Sequence, residues 1–121
     1  MPSSHAILIT GLLRCVEETA SAIATLVDGQ DLFIVTDSSQ KKQLEILHRH
    51  LSGNVEVVYS DEVVPWAALE AALSHIERGS MIRQWLKLSL GRSIILQREQ
   101  HTNHRYSCIY RVFPVSTYGT E

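Results

Sequence analysis

Two short stretches of this sequence hold residue types that could meet an anion or a sugar. The first is Thr10-Gly11-Leu12-Leu13-Arg14. Glycine allows a tight turn and a close approach of backbone to ligand, and a helix N-terminus beside a guanidinium favours phosphate. The second is Asp37-Ser38-Ser39, whose carboxylate and hydroxyls suit a ribose hydroxyl or a phosphate. Both stretches also have plainer uses. Thr10 to Arg14 serves equally as an ordinary strand-to-helix turn with a solvated arginine, and Asp37-Ser38-Ser39 is what a helix start needs for capping.

Other chemistries find no footing. Gly11 is not followed by the further glycines of a dinucleotide fingerprint, and no GK[ST] ending makes a P-loop. A phosphoacceptor receiver would need paired carboxylates after the first strand, and a serine hydrolase a GxSxG elbow; neither occurs. The six histidines are scattered. His48 and His50 stand two apart on a helix and point in different directions, and His101 and His104 have no cysteine or carboxylate cluster around them, so no metal site is expected. Cys15 and Cys108 form no CxxC and read as small core or near-core side chains. Asp61-Glu62 reads as a solvated loop favourable to a following helix dipole.

The elements that must position these residues follow from hydrophobic periodicity. Ala6 to Ile9 is a short aliphatic run, as in a strand buried on both faces. Val16, Ala20, Ile23, Ala24 and Val27 recur at three and four, predicting a helix over about Leu13 to Val27, closed by Asp28-Gly29. Asp31 to Thr36 is the second strand. Leu44, Leu47 and Leu51 mark the next helix, and Val55 to Tyr59 the third strand. Pro65 opens a helix carrying Trp66, Leu69, Leu73 and Ile76. A longer helix runs from about Ser80 towards Glu99 on a stripe of Met81, Trp85 and Leu88, with Gly91 an unfavourable residue in its middle. Both tryptophans are expected in the core. After a polar loop from His101 to Arg105, Tyr106 to Phe113 is the last strand, stopped by Pro114.

The order β-α-β-α-β-α-α-β predicts one Rossmann-like α/β domain over residues 1–121: a doubly wound, three-layer sandwich around a mainly parallel four-stranded sheet, order 3-2-1-4. Ligands of such sheets bind beyond the carboxyl ends of the strands where the order reverses. That nominates Thr10 to Arg14, Thr36 to Ser39 and, on the fourth strand, Arg111 to Val115.

Composition is compatible with this and narrows the partners. The chain is 45% hydrophobic and 20% charged, as in an ordinary globular domain, and its net charge of −2 gives no reason to expect nucleic acid or an anionic membrane. No apolar run is long enough to span a bilayer and the first residues lack a basic signal region, so a cytoplasmic protein is expected.

Four segments together resemble bacterial and phage glycosyltransferase-like proteins with a GT-A-type nucleotide-sugar domain: Ile7 to Arg14, Asp31 to Asp37, Gln84-Trp85-Leu86-Lys87-Leu88, and Tyr106 to Val112. In that group the first strand runs into a Gly-x-x-Arg turn, and a Gln-Trp-aromatic-Lys helix precedes a strand reading Tyr-Asp-x-(Ile/Val)-x-Arg-x-Arg-x-Asp. The resemblance implies that Arg14 meets the nucleotide phosphates, that Asp37 lies near the base or ribose, and that Arg111 is the first arginine of the fourth-strand motif. Phe113 replaces the second arginine and Val115 the carboxylate that would hold a divalent metal on the sugar diphosphate. The chain also ends at Glu121, before an acceptor-binding half. The expectation is therefore a truncated or degenerate nucleotide-sugar-binding domain around Thr10, Gly11, Arg14, Asp37, Ser38 and Arg111, with no certain cofactor. The alternative is a non-catalytic protein-interaction module, or one that self-associates through the exposed edge of the fourth strand.

Overall fold

The computed structural model describes residues 5–11, 13, 16–63 and 79–112, with side chains for all of these but 79–83 and 112. The expected helix after Pro65 with Trp66, the cysteine at 15, Arg14, Phe113 and Val115 lie outside the described residues.

The elements are β1 (His5–Thr10), α1 (Val16–Val27), β2 (Asp31–Thr36), a 3-10 turn (Ser38–Gln40), α2 (Lys41–His48), β3 (Val55–Tyr59), α3 (Ser60–Val63), α4 (Gly79–Thr102) and β4 (Cys108–Val112). The four strands form one sheet in the order β3-β2-β1-β4, every neighbouring pair parallel. This is the predicted architecture and strand order.

The side-chain alternation of the strands divides the core in two. Ile7, Ile9, Leu32 and Ile34 pack with Val16, Ala20 and Val27 of α1 and with Leu44 and Leu47 of α2. On the opposite face Ala6, Leu8, Phe33 and Val35 pack against Ile95 of α4. β1 and β2 are buried on both faces, which is why they read as unbroken apolar runs rather than alternating ones.

α4 lies across the second face and runs antiparallel to the strands. Its early residues reach the carboxyl ends of β1 and β2, where Gln84 bonds Thr10, and its late ones reach the amino ends, where Arg98 bonds Glu56. Gly91, expected to weaken this helix, permits its close approach to β1. A Cβ there would stand 2.5 Å from Leu8 Cδ1 and 2.7 Å from Cδ2. The helix also continues past Glu99 to Thr102, into the expected loop, and ends at Asn103, which takes the left-handed conformation (φ 53°) that terminates helices.

Trp85 departs from expectation: it is 65% exposed. The stripe that α4 turns towards the sheet runs through Gln84, Lys87, Gly91 and Ile95, so polar residues take the inward positions where the helix passes the strand ends.

Candidate functional site

Beyond the carboxyl ends of β1 and β2 the chain assembles a polar cluster from four elements. β1 ends in Thr10, buried, and the backbone turns at Gly11 with φ 109°, a conformation that side-chain-bearing residues rarely adopt. The Gly11 N–H donates to the Val35 carbonyl (3.1 Å), and its own carbonyl accepts from Thr36 Oγ1 (2.7 Å), so the turn is bolted to the end of β2. The Gln84 carboxamide stands against Gly11, 3.6 Å from where a Cβ would be, and donates through Nε2 to Thr10 Oγ1 (3.2 Å).

Asp37 follows β2 immediately. Capping is not what its side chain does: it makes no hydrogen bond to the turn that follows. Its Oδ2 instead takes an ion pair from Lys87 Nζ at 3.2 Å, and its Oδ1 accepts from Ser60 Oγ at 2.9 Å. Ser60 is itself fully buried at the start of α3, directly after β3. The Lys87 side chain is 7% exposed against 30% for Asp37. The carboxylate therefore stays open to solvent while its countercharge is sealed behind it.

The cap function has passed to Asp61, read from sequence as merely solvated. It accepts from the Ser38 backbone N–H at 2.8 Å and from the Ser38 hydroxyl. That hydroxyl bond, the largest influence, holds its carboxyl below the ordinary value of 3.8. On the other side, Gln40 Oε1 accepts from the Leu13 N–H at 3.1 Å, tying the segment after Gly11 to the start of α2. One of the backbone donors nominated for an anion at that turn is thus occupied by a side chain.

The structure brings together Thr10, Gly11, Asp37 and Ser38, four of the six residues nominated from sequence. Arg14 lies outside the described residues. Arg111 pairs in register with Leu8, two residues before the end of β1, and is exposed on the α4 face. There it lines a separate groove. Sequence reasoning assigned no role to Gln84, Lys87 or Ser60. Gln84 and Lys87 had stood only as part of a motif, and their spacing of three was the signal that both would share one helix face. Ser60 gave none.

The cluster can accept hydrogen bonds from a polyhydroxylated ligand at Asp37 and donate through the second amide hydrogen of Gln84, against a buried positive charge; both donors of Ser38 are taken by Asp61. Among the described residues no three His, Cys, Asp or Glu side chains converge, and the Asp37 oxygens pair with Lys87 and Ser60. Among the described residues no helix is long and apolar enough to cross a membrane. No known family profile, curated protein or solved structure matches this chain.

Proposed function

We propose that this chain is a nucleotide-sugar-binding domain of the glycosyltransferase-like kind, degenerate in its fourth-strand motif. The observation that carries the reading is the convergence of Gln84 and Lys87 with Thr10, Gly11 and Asp37 at one edge of the sheet. Three of the four segments behind the resemblance meet there, at the end of the strands where α/β sheets hold nucleotides. Asp37 accepts from ribose or base, Gly11 keeps the turn free of a side chain, and Gln84 supplies an amide to the donor's polar groups. Lys87 acts through Asp37 as a positioning residue. The reading covers binding of a donor and not its transfer, because Phe113 and Val115 stand where a second arginine and a carboxylate would complete the diphosphate clamp.

The second reading, an interaction or self-association module, draws on β4. It is an edge strand of the described sheet, with Ile109 40% and Tyr110 51% exposed. Calorimetric titration with UDP- and GDP-sugars separates the two. The first reading expects saturable binding that weakens about tenfold in Asp37→Asn, the loss of one charge-assisted bond. No binding of any donor, together with a stable dimer that Ile109→Lys dissociates, favours the second.

A further inference from the structure

The groove that holds Arg111 lies outside the strand-end cluster and has its own composition. α4 forms one wall, with Trp85, Leu88, Ser89, Arg92 and Leu96 at helical spacing; Ile109 and Arg111 of β4 form the other, over a floor of Leu8 and Ile95. Ile109 and Arg111 share this wall because they pair with Ala6 and Leu8, the β1 residues that face α4. The groove holds about 530 Å³, which is within the roughly 300–1,000 Å³ range of small-molecule sites.

Its charge is one-sided. Each wall contributes an exposed guanidinium, no carboxylate is among the described lining residues, and no described ion pair involves Arg92 or Arg111. Apart from Ser89 the rest is apolar: Leu96 is 44%, Ile109 40% and Trp85 65% exposed. Two guanidinium groups facing one cavity suit a forked oxyanion, carboxylate or phosphate. An open indole and aliphatic side chains suit a flat apolar body attached to it.

We propose that this groove is a binding site for a small amphipathic anion, an aromatic or aliphatic body carrying a carboxylate or phosphate, held between Arg92 and Arg111 with its apolar part against Trp85, Leu96 and Ile109. The proposal stands independently of the nucleotide-sugar reading, since it uses none of Asp37, Lys87 or Gln84.

The test is calorimetric titration of the full chain with 1-naphthyl phosphate, 1-naphthoate, 1-naphthol and inorganic phosphate. Both naphthyl anions are expected to bind, and their relative affinities tell which head group is preferred. Naphthol and inorganic phosphate, each lacking one half of the ligand, are expected to bind at least about tenfold more weakly. Arg92→Gln and Arg111→Gln should each weaken the anions about tenfold, and Trp85→Ala should weaken them while leaving the response to inorganic phosphate unchanged. Circular dichroism melts confirm that these exposed substitutions leave the fold intact. The proposal is overturned if neither anion binds, if inorganic phosphate binds as well as they do, or if the Arg92→Gln/Arg111→Gln double variant binds them undiminished.

Discussion

Asp37→Ala and Lys87→Met break the same ion pair from opposite sides, and they should differ in cost. Removing the carboxylate strands an ammonium that is 7% exposed, whereas removing the ammonium leaves a carboxylate that is 30% exposed and still bonded by Ser60. Urea melts should show a loss of about 3 kcal/mol for Asp37→Ala and about 1 kcal/mol for Lys87→Met. Equal costs would mean that Lys87 finds another partner or water. At the amino ends of the strands, Asp31, 5% exposed, accepts from Tyr106 Oη at 2.6 Å and from Asn54 at 3.3 Å. Burial first, then the bond to Asp31, raises the Tyr106 phenol above its ordinary value of 10.0. A phenol raised in the folded state stabilises the fold fully below its unfolded value, and that stability is lost as pH rises past it. Denaturant melts should therefore show stability falling above about pH 10. Tyr106→Phe should remove that slope and cost about 1–3 kcal/mol at neutral pH. Asp37 was legible in the sequence as a polar residue at a strand end, but its use was not. Local pattern predicts capping, and only the packing of α4 brings up the lysine that claims the carboxylate. Lys87 itself was illegible as a buried residue, because a lysine is buried only where a tertiary partner meets its charge.

At the scale of elements, α4 decides what the strand ends become, and Gly91 sets its distance from β1. Helix propensity alone makes Gly91→Ala stabilising by about 1 kcal/mol. The added methyl, however, meets Leu8, a residue 2% exposed and enclosed by the second core, and overpacking of that kind costs about 1–3 kcal/mol. The net expectation is a melting temperature lower by about 5 °C, with Gly91→Leu lower still. An increase for Gly91→Ala would show that α4 can lift off β1 freely. The helix is legible in the sequence as a periodic stretch, and Leu88 of its expected stripe packs against the second core, but Trp85 is 65% exposed. The apolar stripe through Trp85 and Leu88 competed with the stripe through Gln84, Lys87 and Gly91, and hydrophobicity favoured the first. Proximity to the strand ends, where Thr10 and Asp37 offer polar partners, favours the second. The strands were easier. Runs such as Asp31 to Thr36, bounded by turn residues and buried on both faces, leave little freedom of assignment.

At the scale of the molecule, the strand order was readable because parallel neighbours need crossovers, crossovers are right-handed, and alternating elements admit few layouts. That order puts the turn after β1 and the turn after β2 side by side, so the two nominated stretches meet. It does not bring in Arg111, whose register with Leu8 stops it two residues short of the edge and turns it into the groove beside α4. The same sheet thus carries an acceptor-rich cluster at its carboxyl edge and a basic apolar groove on its flank. The most direct test of the account is amide chemical-shift mapping of the full chain during titration with a UDP- or GDP-sugar. The prediction is saturable shifts centred on Thr10, Gly11, Asp37, Ser38 and Gln84, lost in Asp37→Asn. Shifts confined to Ile109, Arg111 and the flank of α4, or no shifts at any donor concentration, would contradict it.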